Sequence, residues 1–384
     1  MTSIFAPLSP TMLADPHAVY ARLRAEDPVH WHDQLNAWVV TRHDDCTRIL
    51  KDTAAFGSDP RALGKPIPET VLSLQTLDPP EHTAVRRRFL HPLRAREEGV
   101  WDAEIRRAAR DVVAGLGEVS DFVRDVAEPL ALHAVCVLYG IPFPADHERF
   151  RTASRTLVLG MDAGLDPARR EPALVARDEI NGMIARWRAD AAPGGVLAAV
   201  DPGDDRVLRN SLRAVFDAGY STTSNLLSNA VHRLTARRAW RGAELAALDG
   251  RAADELVRLA GPVQAVSRHC KEDVELRGRR VRRGDVLVVV LAGANRDPEV
   301  FPDPDVADFG RSPNPHLGLG RGAHACFGGH LGKQLLLVLL GELSRLDLVE
   351  AAGEAVLRPT ATQRGLDRLP IRIRRGSAAT ATSP

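Results

Sequence analysis

A chain of 384 residues, 44 % of them apolar, can bury a large core. Its 51 basic and 50 acidic side chains leave a net charge of +1, which excludes bulk attraction to nucleic acid or an anionic membrane. Four dispersed cysteines (Cys46, Cys136, Cys270, Cys326) with no CxxC pair fit neither a zinc site nor a disulfide framework, so free thiols in a reducing cytoplasm are expected.

The N-terminus has no basic stretch leading into an apolar run and so reads as no signal peptide. The longest apolar runs, Val286–Leu291 and Leu335–Leu340, fall far short of the roughly 18 residues of a membrane span, so a soluble protein is expected. Val29–Thr41 alternates around a polar centre and predicts a β-hairpin. His43–Leu50 and Asp121–Tyr139 carry helical spacing, the second stopped by Pro142 and Pro144. From Val207 to Leu234 runs a long helical pattern, weakened at its middle by the insert AGYSTTSN. Ala252–Leu259 predicts a helix before Gly261-Pro262, and Val274–Ala292 predicts strands around glycine turns. An irregular, proline-rich segment follows from Asn295 to Arg321, then a strong helix over Gly328–Leu346. The whole reads as one mainly helical domain, 1–374, with a small sheet content and a tail, 375–384, expected to fray.

Before Cys326 stand three glycines, and after it Gly328 and an apolar helix. This describes a tight loop feeding a helix N-terminus, where glycines let a flat ligand approach and amide N–H groups favour a thiolate. Taken alone, such a cysteine could also be a buried core thiol. The segment Leu319-Gly320-Arg321-Gly322-Ala323-His324-Ala325-Cys326-Phe327-Gly328, however, resembles the cysteine signature of the cytochrome P-450 superfamily, F-G-x-G-x-H-x-C-x-G, with Leu319 in place of the usual Phe. Glu255-Leu-Val-Arg258 matches that family's E-x-x-R, and Arg311 fills the place of the arginine it locks onto. Asp78-Pro-Pro-Glu-His-Thr-Ala-Val-Arg86 resembles the family's D-P-P-E-H-T-x-x-R.

The resemblance, which covers about residues 5 to 373, implies a helical triangular prism with small β-sheets holding heme b. It implies Cys326 as the axial iron ligand, with Leu319, Gly320, Gly328 and, on the central helix, Ala218 also binding the cofactor. His82, Arg86, Arg268 and His324 are implied as partners of the haem propionates, and Glu255, Arg258 and Arg311 as a structural lock. It also implies a bacterial-type monooxygenase taking electrons from ferredoxin and ferredoxin reductase, acting with dioxygen on a small organic molecule. The arginine-rich, lysine-poor composition suggests an actinobacterial origin and natural-product tailoring.

One motif departs from the pattern. The family's A-G-x-(D/E)-T-T reads here Ala218-Gly219-Tyr220-Ser221-Thr222-Thr223, so Thr222 keeps the oxygen-side alcohol and Ser221 replaces the acid. A serine can relay a proton but cannot supply one near neutral pH. Asp217, one turn earlier, could substitute for the acid or hold a cationic substrate group; it could also be an ordinary solvated or paired residue. A substrate group could complete the relay. Alternatively the reaction is oxidative coupling, cyclisation or desaturation without oxygen insertion, or the chain is a non-catalytic haem sensor. By analogy the cavity is lined from segments 57–76, 157–172, 211–222, 262–267 and 361–366, with Arg61, Lys65, Asp162 and Gln363 as polar handles. Cys136 is expected in core packing, and His30, His32, His43, His133 and His232 in core or surface roles.

Overall fold

The computed structural model describes residues 4–236 and 238–375. The fraying expected of the tail therefore lies outside the described residues beyond Arg375. In chain order the longer helices are α1 (His17–Glu26), α2 (His43–Lys51), α3 (Glu81–Arg96), α4 (Asp102–Ala114) and α5 (Glu128–Tyr139). They continue as α6 (His147–Gly160), α7 (Arg170–Trp187), α8 (Arg206–Thr235), α9 (Gly250–Ala260) and α10 (Gly329–Leu343).

Helix α8 is the axis on which the others pack. Asp205 starts it, its carboxylate accepting from Leu208 N–H at 3.1 Å. Leu212, Phe216, Tyr220, Leu227 and Val231 bury its sides against α5 and its neighbours. The AGYSTTSN insert was expected to weaken this helix, yet it runs unbroken. The hydroxyl groups there turn back onto the helix instead of competing with it: Thr222 donates to Ala218 O, Ser224 to Ser221 O and Ser228 to Ser224 O. Gly219 is a packing glycine, since a Cβ there would stand 3.1 Å from a Val135 methyl of α5.

The strands form two larger sheets. The first joins β1 (Val29–His32), β2 (Ala37–Val40), β3 (Phe56–Gly57), β6 (Val266–Cys270) and β9 (Val286–Val289) in the order β1-β2-β9-β6-β3, parallel between β2 and β9 and antiparallel elsewhere. The second joins β4 (Val119–Asp121), β5 (Trp240–Arg241), β10 (Leu348–Ala351) and β13 (Pro370–Arg374) in the order β4-β13-β10-β5. Two hairpins complete the strands: β7 (Val274–Leu276) with β8 (Arg279–Val281), and β11 (Val356–Leu357) with β12 (Leu366–Arg368). The architecture is mainly α with small separate sheets, as expected.

Three local expectations need correction. The segment expected to be helical from Asp121 starts as strand β4, because the Asp121 carboxylate accepts from Val123 N–H and Leu369 N–H and pins this edge to the second sheet. A wide turn, Val123–Ala127, then leads into α5. The strand-rich stretch ends at Val289, and Leu291–Ala294 form a helical turn buried against α1 and α2. Helices α1, α4, α6 and α7 have no counterpart among the elements read from the sequence.

Candidate active site

The loop before α10 carries Cys326 and is shaped by its glycines. Gly320 and Gly322 hold positive φ (67° and 71°), conformations that L side chains rarely adopt. Gly322 also abuts α2, where a Cβ would meet the Leu50 carbonyl oxygen at 2.2 Å, and one on Gly318 would stand 2.8 Å from Val257 of α9. The sequence suggested that these glycines admit a flat ligand. Gly318 and Gly322 instead admit protein, while a Cβ on Gly328, next to the cysteine, would meet no protein atom within 4 Å. Leu319 lies over the start of α10, its Cδ1 at 2.8 Å from where a Gly329 Cβ would sit, and its carbonyl accepts from Cys326 N–H at 2.8 Å.

Cys46, Cys136 and Cys270 are buried, and burial pushes each thiol upward; Cys136 packs in the main core as expected. Cys326 differs. Its side chain is exposed to solvent, unlike those of the other three cysteines. Desolvation by the surrounding protein raises its thiol, while the Gly328 N–H and the Arg86 charge pull it down.

Four basic side chains from three separate elements gather beside this loop. His82 and Arg86 come from α3, Arg268 from β6 and His324 from the loop itself. The His82 and His324 rings lie 4.3 Å apart, with His82 Nδ1 and His324 Nε2 buried and without a partner. Arg86 donates to Ala325 O at 2.9 Å and lies over the Phe327 ring; Arg268 donates to the adjacent Ser267 O at 2.7 Å. Among the described residues none of the four forms an ion pair with a carboxylate. Burial, with Arg268, His82 and Arg86 nearby, pushes the His324 imidazole down to about 3, and burial lowers His82. Two guanidinium groups without an ion-pair partner among the described residues, beside two neutral imidazoles able to donate, fit an anionic ligand beside an available cysteine sulfur.

Behind the loop, Glu255 and Arg258 of α9 are fully buried and bidentate, at 2.8 and 2.6 Å. Glu255 also accepts from Asp308 N–H, Asn314 Nδ2 and Arg311 Nε. Arg258 donates to Asn295 O and Pro304 O and lies over the Phe301 ring. The three residues read as a lock thus meet in one network, and Asn314 is a member that sequence reading missed.

On α8, Thr222 and Ala218 share one face and are joined by the 2.6 Å bond from Thr222 Oγ1 to Ala218 O. Ser221 is buried beside them. Asp217 is buried too, but its carboxylate accepts from Ser154 Oγ of α6 at 2.5 Å, with Arg213 nearby. At 3.6 residues per turn Asp217 lies roughly 140° around the helix from Thr222 and roughly 40° from Ser221. It is therefore turned toward α6, not along the Thr222 face. Burial, against the Ser154 bond and the Arg213 charge, raises the Asp217 carboxyl to about 6. Ser154 and Arg213 have no local sequence signal, since only the packing of α6 on α8 brings Ser154 to Asp217.

Of the polar handles expected in the cavity, three are engaged elsewhere. Arg61 pairs with Asp59 and Glu81, Lys65 donates to Gly284 O, Asp162 is bonded by residues 361–362, and Gln363 is buried. Arg61, Lys65 and Asp162 thus have protein partners, whereas the buried Gln363 Nε2 has none among the described residues. The histidines outside the motifs behave as expected: His32 bonds Phe5 O, His43 bonds Pro315 O and His30 pairs with Asp27.

Comparison with known proteins places this geometry. The family description Cytochrome P450 matches residues 251–364, the span that holds Glu255, Arg258 and Cys326. The chain is similar to the cytochrome P450 monooxygenase PikC of Streptomyces venezuelae, 33 % identical, over 95 % of this chain and 93 % of that one. It is also similar to 20-oxo-5-O-mycaminosyltylactone 23-monooxygenase of Streptomyces fradiae, 32 % identical over 95 % of this chain and 88 % of the relative. Among solved structures, CYP109E1 of Bacillus megaterium in complex with testosterone superposes with a TM-score of 0.83 at 25 % identity, covering 95 % of this chain and 99 % of that one.

Proposed function

The chain belongs to the cytochrome P450 family and is a monooxygenase of its bacterial type, and from that premise we propose that Cys326 would supply the thiolate ligand of a heme b. The observation that carries the reading is the gathering of His82, Arg86, Arg268 and His324, with no carboxylate ion pair among the described residues, beside the accessible sulfur. These four would bind the propionates, Gly328 N–H and Leu319 would cover the sulfur, and Glu255, Arg258 and Arg311 would hold the loop. Bound haem supplies the activation of dioxygen and the oxidation of substrate. Electrons would come from NAD(P)H through a separate ferredoxin reductase and then ferredoxin.

The protein's own contribution on the open side is proton handling. Because Thr222 Oγ1 gives its hydrogen to Ala218 O, its lone pairs are free to accept from water or substrate. Ser221 can pass a proton on but not supply one. Asp217, with its carboxyl at about 6, holds a proton over part of the neutral range and lies one turn away from Ser221. Although it faces α6 and lies roughly 140° around the helix from Thr222, we assign it the role of the missing acid, acting only through Ser221. Its bond from Ser154 and its position near Arg213 favour this over contact with a cationic substrate group.

Asp217→Asn is expected to cut coupled product formation by roughly tenfold or more while leaving substrate affinity unchanged. A wild-type coupling ratio would remove Asp217 from the relay. The same variant carries a stability signature. The folded carboxyl binds its proton more tightly than the unfolded one, so its contribution is fully present below about pH 4 and is lost as pH rises through 6. Asp217→Asn should therefore be more stable than the wild type at about pH 8 by roughly 3 kcal/mol, the gap closing toward pH 4. Urea unfolding at several pH values measures it.

The substrate is a small organic molecule, and the engagement of Arg61, Lys65 and Asp162 by protein partners favours an uncharged one. Natural-product tailoring in the cytoplasm is the setting we propose. The second reading, coupling, cyclisation or desaturation, is favoured by Ser221. Products formed under labelled dioxygen separate the two, because hydroxylation retains the label and coupling does not. A protein showing no spin shift with any scaffold and no turnover with any electron donor would instead be a haem sensor.

A further inference from the structure

Helix α7 packs on α8, and two guanidinium groups are buried where they meet. Arg213 of α8 is 9 % exposed and Arg177 of α7 is 6 % exposed. Among the described residues Arg213 forms no hydrogen bond and no ion pair, and its Nε is buried without a partner. Arg177 donates from Nε and Nη2 to one oxygen of the solvent-facing Asp178, at 3.0 and 2.9 Å. Its Nη1 is buried and, among the described residues, likewise unpartnered.

The groups facing Arg213 leave its donors unmet. Asp217, one turn along α8, accepts from Ser154 Oγ of α6 at 2.5 Å and forms no ion pair with Arg213. The Tyr139 hydroxyl of α5 donates to Leu212 O at 2.8 Å. The Arg177 charge presses on the Arg213 guanidinium, and Asp178 offsets it only from the solvent side. Guanidinium donors buried without acceptors are costly unless an anion meets them, and their planar forks match an oxyanion. At 3.6 residues per turn Arg213 lies roughly 180° around α8 from Thr222. The pair is thus turned away from the Thr222 face and stands apart from the proposed haem.

We propose that Arg213 and Arg177 form an anion site between α7 and α8 that takes one compact inorganic oxyanion from solution. With Ser154 and Asp217 also buried beside the pair, the ion is a small one. Bound there it lies near Asp217 and favours the protonated carboxyl, so ion and proton bind together. Without the ion that carboxyl titrates at about 6. Affinity should therefore rise as pH falls from about 8 toward 6 and level off below.

Nitrate, which does not titrate in this range, tests the site by calorimetry on the haem-loaded protein, at fixed ionic strength with gluconate as the background anion. The wild type should bind one nitrate saturably, and its Tm should rise by roughly 2–4 °C or more at a hundredfold excess over Kd. Arg213→Gln should weaken binding by at least about tenfold and Arg177→Gln by roughly threefold. In gluconate alone Arg213→Gln should melt no lower than the wild type, because it removes a buried charge that no acceptor meets. Asp217→Asn should bind nitrate more tightly than the wild type at about pH 8 and lose the pH slope. Arg177→Gln serves if Arg213→Gln does not fold. No saturable binding, or nitrate bound by Arg213→Gln and Arg177→Gln as tightly as by the wild type, would overturn the proposal. Octanoate that displaces nitrate while shifting the haem spin state would give the site to a substrate carboxylate and overturn it too.

Discussion

Cys326→Ala is expected to yield a folded protein that binds haem weakly, shows no thiolate-type Soret band in its reduced carbon monoxide complex and has no turnover. The fold should survive because the side chain contributes little packing. It is exposed to solvent, and the neighbouring Gly328 N–H draws its thiol down. Truncation there leaves no apolar cavity, so the cost in stability should stay within roughly 1 kcal/mol. The same change at Cys136, which is buried in the main core, should cost more stability and leave the Soret band intact. Spectra and urea midpoints of the two variants therefore separate chemistry from packing. A normal thiolate-type band from Cys326→Ala would remove Cys326 from the iron, and with it the reading of the site.

The cysteine side of the site was legible because its parts are contiguous in the chain. A loop such as Leu319–Gly328 contains its own turn geometry, and positive φ at Gly320 and Gly322 explains glycine at those places. The residues proposed as propionate partners were legible only through resemblance, since nothing local at Arg268 distinguishes it from any other strand arginine. Helix α4 left a signal that was not read: Ile105, Ala109 and Val113 recur at helical spacing and are buried, but alanine is a weak marker of an apolar face. Other features had no signal to read. Asp162 looks like a polar handle in sequence because its donors, Ala361 and Thr362, lie some 200 residues away. Asp217 was placed correctly one turn before Ser221, yet its orientation toward α6 is decided by Ser154, 63 residues distant. Helical periodicity fixes which face a residue occupies on its own helix, but tertiary packing decides what that face meets.

The same distinction gives a ranking for the buried lock behind the haem loop. Glu255→Ala is expected to be the most damaging of its variants, ahead of Arg258→Ala and then Arg311→Ala. Glu255 is the one acceptor shared by Arg258, Arg311, Asn314 Nδ2 and Asp308 N–H. Its carboxyl is held below the usual range: burial opposes the charge, but the Arg258 hydrogen bond, the Asp308 N–H and the two guanidinium charges outweigh it. Removing it leaves Arg258 fully buried and Arg311 nearly so, with no counter-charge, which should cost roughly 3–5 kcal/mol. Arg258→Ala removes one cation and leaves the carboxylate to Arg311, Asn314 and Asp308 N–H, so the residual charge is still solvated by protein donors. It also frees the carbonyls of Asn295 and Pro304, which keeps its cost above that of Arg311→Ala. Chemical denaturation followed by far-ultraviolet circular dichroism orders the three variants, and the Soret band reports whether the loop loosens before the fold does. Because the network ties α9 to residues 304–314 and hence to the approach of the cysteine loop, haem loss should precede global unfolding in Glu255→Ala. Coincident transitions, or Arg311→Ala as the most severe variant, would mean that Glu255 is not the hub and that the loop is held chiefly by its own packing against Val257 and Leu50.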